Sequence, residues 1–297
     1  MKSKGFVKHY LLMLLPGYIW ITIFSIIPMF GIVIAFQDYS PIKGVLGSEW
    51  VGLDSFEYMF TLNDTKVIFF NTLFIASMKI IGNLLVPLVF ALMLNELRIV
   101  LLKRSIQTIV YLPHFLSWVI LSGIMLDIFS YRGPINQLLA IFGAEEPIIF
   151  FARADLFPYL VIGSDIWKDF GFGTIIYLAS LTGINPALYE ASAIDGASRW
   201  RRLWHITLPG VATTAVLLAV LSLGQVLNAG FDQIFNLYNP LVYSSGDIID
   251  TWVYRTGLLS LQFELATAVG LLKSAIGFIL ISVSYYMAYR ITDYRIF

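Results

Sequence analysis

"GINPALYEASAIDGASRWRRLWHITLPG", residues 183–210, lies between two long apolar runs and carries Glu190, Asp195, Arg199, Arg201, Arg202 and His205. A segment this polar does not lie in hydrocarbon, where ionised side chains are costly. It reads as two short helices. Asn185 is a good N-cap, Pro186 a good first helical residue and Gly196 a good C-terminal stop, which predicts a helix over 186–195. Ala187, Ala191, Ala193 and Ala197 keep that helix thin, so another surface can approach it closely. Ser198 can cap a second short helix that ends before Pro209. On it Trp200, Leu203 and Trp204 follow i, i+3, i+4 spacing, with Arg199, Arg201 and Arg202 beside the stripe. That is the make-up of an interfacial helix, with Trp at headgroup depth and Arg towards anionic lipid. On the residues alone two readings stay open, a connector resting on the membrane and a docking element.

Outward from this loop the chain is greasy. Of 297 residues 58% are hydrophobic and 13% charged, against about 45–50% and about 25% in soluble domains. Aromatics reach 15%, as suits lipid-facing and interfacial surface. There is no cysteine, which excludes disulfides and thiol chemistry. The formal net charge of zero predicts no nucleic-acid partner. A span needs about 20 apolar residues, and six candidates stand out: 10–37, 67–95, 105–126, 156–180, 206–231 and 265–289. The fourth is interrupted by Asp165, Lys168 and Asp169. The first is too long for a signal-peptide core of about 7–15 residues and no A-x-A site follows it. Its Pro16 and Pro28 are tolerable in a membrane helix.

Six spans put both termini on one side. Lys2, Lys4, Lys8, Arg98, Lys103, Arg104, Arg199, Arg201, Arg202, Arg290 and Arg295 then share that side, against Lys43, Lys66, Arg132, Arg153 and Arg255 on the other. The positive-inside rule makes the first side cytoplasmic. The opening loop is therefore cytoplasmic. The outer connections, 38–66, 130–155 and 232–264, are too short for a domain with its own core. No internal repeat is visible.

"EASAIDGASRWRRLWHITLPG" resembles the EAA loop of binding-protein-dependent ABC importer permeases. The family pattern falls on Glu190, Ala191 and Ser192, then Asp195, Gly196 and Ala197, then Ile206 and Pro209, with Ser192 replacing an Ala. "YLPHFLSWVI" (111–120), "SDIWKDFGFGTIIYLASL" (164–181), "FNLYNPLVYSSGDIIDTWVYRTGL" (235–258) and "FELATAVGLLKSAIG" (263–277) resemble the family's permeases for complex oligosaccharides in Gram-positive bacteria. The resemblance implies an all-α membrane protein with six transmembrane helices in the type I ABC importer permease fold. It implies a multi-pass protein of a bacterial cytoplasmic membrane, with both termini cytoplasmic. The organisation expected is a cytoplasmic N-terminus (1–9), a first transmembrane helix and outer loop (10–66), a permease core (67–290) holding the cytoplasmic coupling loop (182–209), and a cytoplasmic tail (291–297).

In that family the loop is a coupling helix seated in a groove of a cytoplasmic ATPase. The resemblance therefore gives Glu190, Ala191, Ser192, Asp195, Gly196, Ala197 and Pro209 to ATPase coupling. The chain has no Gly-Lys dipeptide, hence no P-loop of its own. ATP and Mg would be bound by the partner ATPase, with no cofactor in this chain. The implied partners are a second homologous permease, an ABC ATPase dimer, an extracytoplasmic solute-binding protein, an oligosaccharide substrate and membrane lipid.

Charges inside a membrane are functional candidates. Asp165, Lys168 and Asp169, at i, i+3, i+4, can neutralise one another along one helix face. The functional alternative has Lys168, with Trp167 beside it, facing a substrate path, where a cation would suit an acidic sugar. Lys79 and Lys273 lack a local partner. Lys273 lies beside a small-residue stripe, Ala266, Gly270 and Ser274, that suits either close packing or a path. Gln225, Asn228 and Asp232 follow i+3, i+7 spacing and could line a cavity or simply begin the outer loop. His114 reads as a hydrogen-bonded structural histidine, and with no HExxH a metal site is not expected.

Two other functions compete. An ion-coupled secondary sugar transporter would recruit Asp165, Lys168 and Asp169 and need no ATPase. An intramembrane enzyme would need a nucleophile–base or metal motif, and none is visible. A neighbouring gene for a second EAA-bearing permease would favour the importer.

Overall fold

The computed structural model describes residues 4–292. Lys2 and Arg295, used above for orientation, and residues 293–297 of the expected tail lie outside the described residues. The chain is helical nearly throughout. Helix α1 (Lys4–Ile21) runs through wider and tighter turns to Phe36. Strands β1 (Gln37–Asp38) and β2 (Glu49–Trp50) form a small antiparallel hairpin. Helices α2 (Asp54–Thr61), α3 (Asn63–Glu96), α4 (Val100–Tyr111), α5 (Trp118–Ile128) and α6 (Phe157–Thr182) come next. After them are α7 (Pro186–Ile194), α8 (Arg199–Arg202), α9 (Leu208–Leu223), α10 (Phe231–Leu237) and α11 (Phe263–Thr292).

Four helical stretches are long and apolar enough to cross a membrane: Lys8–Phe36, Asn63–Glu96, Arg199–Leu223 and Phe263–Met287. A fifth counts if α4 and α5 are one span bent by 104°. The sequence reads 105–126 as one uninterrupted span. The break has a local cause. Pro113 sits in a short 3-10 turn, Leu112–Phe115, where it cannot donate, and Ser117 Oγ accepts from Ile120 N to start a fresh helix. Helix α6 is long enough, at 26 residues, but its three charges set it apart from the apolar group.

Contacts divide the chain into two units, one formed by the chain up to Thr65 with Trp252–Leu272, the other by Lys66–Thr251 with the chain from Lys273. In the first unit, only 6% of the most apolar window of Lys8–Phe36 is buried. Beyond it Phe36 stacks on Trp50, ring centroids 5.5 Å apart, and Tyr39 meets the edge of Phe263 at 5.8 Å. In the second unit, α6 packs on α4 and α9, and α10 on α5. Its core gathers Ile75, Phe157, Val161, Ile234 and Ile248, with a second cluster of Ala91, Tyr177, Leu181 and Val211. Close approach depends on Gly171, where a Cβ would meet the Val110 carbonyl oxygen at 2.3 Å.

Two boundaries differ from the sequence expectation. The second short helix does not end before Pro209 but runs into α9 through a π-type turn, Leu203–Thr207. There Leu208 N donates to the Leu203 carbonyl, five residues back, so the ladder widens just before a proline that cannot donate. The expected span 206–231 ends at Leu223. Turns over 224–227 and irregular chain over 228–230 replace its last part, so Gln225, Asn228 and Asp232 do not form a helical stripe.

Candidate functional site

The exposed loop after α6 is built by local chemistry. Asn185 Oδ1 accepts from Ala187 N at 3.0 Å, capping α7. At its far end Ala197 N reaches Ser192 O at 2.9 Å and Gly196 N reaches Ala193 O at 3.2 Å. With Gly196 at φ +72 this is a Schellman stop, and the left-handed residue is glycine because a Cβ is strained there. Ser198 Oγ accepts from Arg201 N at 3.4 Å and starts α8. Tyr189 Oη and Thr207 Oγ1, 3.0 Å apart, tie α7 to the π-type turn. Ser192 Oγ bonds back to Tyr189 O at 2.8 Å, so the serine in the alanine position is satisfied within its own helix.

Of the residues expected in coupling, Glu190, Ala191, Asp195, Gly196 and Pro209 are exposed, and Ser192 and Ala197 half-buried. Ile194, 88% exposed, joins them. It stands on the same doubly capped helix as Glu190. Trp200 and Trp204 are also exposed, as an interfacial helix requires.

A second constellation lies among the helices of the Lys66–Thr251 unit. Lys79 on α3 is buried, its Nζ 3.1 Å from Asp165 Oδ1 of α6. The same ammonium donates to Ala229 O at 2.7 Å and to Gln233 Oε1. Gln233, fully buried, donates onward to Val161 O at 2.7 Å and Ser164 Oγ at 2.8 Å. Asn83 Nδ2 donates to Asp165 Oδ2 at 2.9 Å, while its Oδ1 is buried with no partner. Lys79, Asn83 and Asp165 border a cavity of about 310 Å³, lined also by Ser222, Gln225 and Asn228 with Ala76, Ile80, Ala229 and Gly230, while Gln233 lies behind its wall. Amides, a hydroxyl and one ion pair on apolar walls match the donors and acceptors of a sugar.

This corrects the expected pairing along α6. Asp165 is neutralised by Lys79 of another helix, not by Lys168. Lys168 is buried and turned to the other side, donating to His114 O at 2.9 Å, 3.6 Å from Asp169 and 5.6 Å from the centre of the Trp118 ring. Asp169 meets His114 Nδ1 at 2.8 Å, and the imidazole stacks on Phe172, the hydrogen-bonded role expected of it. Trp167 lines a different, apolar cavity of about 380 Å³ with Leu121, Met125 and Phe129. Lys273 pairs with Asp250 at 2.5 Å, and Asp232 is exposed in the first turn of α10.

Asp165, Gln225 and Asn228 thus share one cavity, and Trp167, Lys168, Asp169, Asp232 and Lys273 do not line it. Asn83, Ser222 and Gln233 escaped the sequence reading. Asn83 had a signal, four residues after Lys79 on an apolar helix and so on the same face. Among the described residues no His, Cys, Asp or Glu cluster could hold a metal ion.

Comparison with known proteins bears on family and fold. The family model for binding-protein-dependent transport system inner membrane components matches residues 83–297. The polygalacturonan/rhamnogalacturonan transport system permease protein YteP of Bacillus subtilis (strain 168) is 42% identical over 291 residues, covering 98% of this chain and 90% of that protein. Protein LplB of the same organism is also 42% identical, covering 98% and 91%. Among solved structures, a bacterial ABC transporter involved in the import of the acidic polysaccharide alginate superposes with a TM-score of 0.88 at 36% identity, covering 97% of this chain and 98% of that one. The bacterial alginate ABC transporter in complex with an alginate pentasaccharide-bound periplasmic protein gives 0.87 at 36% identity, covering 98% of both.

Proposed function

The chain belongs to the family of binding-protein-dependent transport system inner membrane components, and from that premise we propose that it is the permease subunit of an ATP-driven importer of acidic oligosaccharides. It is a multi-pass membrane protein. Its engine would be a cytoplasmic ABC ATPase dimer, which binds the ATP and Mg. A second, similar permease would complete the channel, and an extracytoplasmic solute-binding protein would deliver the sugar. Both termini and the loop 182–209 would face the cytoplasm of a bacterium. ATPase closure would push the loop, and α6 and α9, which it joins, would tilt towards the outward-facing state.

The observation that carries this reading is the doubly capped, exposed α7 with Glu190 and Ile194 on its surface. A rigid projecting helix transmits displacement, where a floppy connector would absorb it. Substrate class is supported by the relatives, whose names speak of polygalacturonan, rhamnogalacturonan and alginate, all chains carrying sugar carboxylates. In the cavity, Asn83, Gln225, Asn228 and Ser222 would meet sugar hydroxyls. The Lys79–Asp165 pair would offer a uronate a cation already held in place. An ion-coupled carrier would need a carboxylate open to its coupling ion, and Asp165 is engaged by Lys79 and Asn83.

The test is a pull-down of the tagged chain from its own membranes in mild detergent, with mass spectrometry of the co-purifying proteins. Wild type is expected to bring a second permease and the ATPase. Glu190→Lys is expected to lose the ATPase and sugar uptake while inserting normally. Normal uptake by that variant would end the coupling role of the loop, and a chain recovered alone would end the importer reading.

A further inference from the structure

The unit formed by the chain up to Thr65 with Trp252–Leu272 holds a polar cavity of its own, about 380 Å³ in volume. Its polar walls include Gln37, Asp38, Asp54, Tyr58, Gln262 and Glu264. Asp38 lies in β1, Asp54 opens α2 and Glu264 is in the first turn of α11. Asp38 and Asp54 are exposed at its mouth and Glu264 is half-buried, and among the described residues none of the three has a cation within ion-pair distance. Beside them Gln37 is 7% exposed. Its Nε2 donates to Val45 O at 2.9 Å, and its buried Oε1 has no partner at all.

Buried acceptors are almost always satisfied, so Gln37, a residue of the cavity wall whose amide oxygen has no partner, beside three carboxylates with no cation, points to a missing donor. The chemistry narrows the choice of donor. No group of acidic or histidine side chains among the described residues is arranged to hold a metal ion. An acidic oligosaccharide is repelled by three carboxylates. An ammonium or guanidinium brings several donors and no acceptor, and fits both the charge and the orphan oxygen.

We propose that this cavity is the socket for a lysine or arginine side chain of the extracytoplasmic solute-binding protein. The inference rests on the importer reading and on the orientation drawn from the charge bias. Asp38, Asp54 and Tyr58 come from the connection 38–66, and Gln262 and Glu264 from 232–264, the segments that bias puts outside. A carboxylate-lined socket attracts a basic anchor from a distance and repels the polyanionic cargo, so it orients the binding protein without capturing sugar. The same repulsion would turn released sugar away from the docking site.

The test uses the complete transporter, this chain with its partner permease and ATPase, in lipid nanodiscs. Sugar-loaded binding protein is titrated, with affinity and stimulated ATP hydrolysis as readouts. Asp54→Asn with Glu264→Gln is expected to weaken binding by about tenfold or more and to flatten its salt dependence. ATP hydrolysis without binding protein should stay at the wild-type rate, which shows the complex assembled. Neutralising the binding protein's basic residues one at a time should find one whose loss is not additive with the double variant. Unchanged affinity at normal basal hydrolysis overturns the socket alone, as does full additivity at every basic residue. A wild-type complex that no binding protein stimulates overturns the importer reading as well.

Discussion

Lys79 and Asp165 sit 3.1 Å apart with side chains 7% and 15% exposed. At that depth neither charge tolerates the loss of the other. Removing one partner of a buried pair typically costs about 3–5 kcal/mol, whereas replacing both by apolar groups of similar volume is often close to neutral. Lys79→Ala is therefore expected to lower the thermal unfolding temperature of the purified protein sharply. Lys79→Met with Asp165→Leu should recover most of that stability and still fail to take up sugar. Equal destabilisation in the single and double variants would show that the pair is not coupled. None of this pairing was legible in the sequence. Lys79 reaches Gln233 across 154 positions and Asn83 reaches Asp165 across 82, and spacing rules work only within one helix. Lys168, three positions on, offered Asp165 a local partner that tertiary contact overrode.

At the scale of elements, local chemistry was readable and geometry across breaks was not. The caps of α7, the Asn185 side chain and the Gly196 stop, arise from bonds spanning a few residues, and the sequence shows them directly. The end of α9 did not show, because Gln225, Asn228 and Asp232 happen to repeat at helical spacing through a stretch that turns away. The bend between α4 and α5 was hidden for the opposite reason, since membrane helices often tolerate a proline and Pro113 here does not pass unnoticed. Gly196→Ala would place a Cβ at φ +72, at a cost of roughly 1 kcal/mol. It is expected to fray the end of α7, reduce uptake and spare membrane insertion, read by transport assay beside an insertion control. Gly171→Ala is expected to act on packing and not on the loop, read as a lower thermal unfolding temperature of the purified protein. With the Val110 carbonyl in the way, α4 and α6 must part, lowering stability by about 1–3 kcal/mol.

For the whole molecule, the fold class was legible from hydropathy and from one loop, because a bilayer forces helices and a long motif marks the family. Sidedness rests on counting basic residues, and the absence of cysteine makes a direct check clean. Cysteine placed at Glu190 should react with an impermeant maleimide only in inside-out vesicles, and cysteine at Asp54 only in intact cells. The opposite pattern would reverse the topology and with it the direction of transport.

The segment Lys8–Phe36, with so little of its apolar window buried by its own chain, has a consequence for how the protein is made. A helix that its own chain scarcely covers does not wait for that chain's core in order to enter a bilayer. It can be seated while the rest of the chain is still being synthesised, and a mutation further along cannot dislodge it. Its insertion is then a step that misassembly downstream leaves untouched, so defective chains would accumulate as anchored, degradable stubs and not as soluble aggregates.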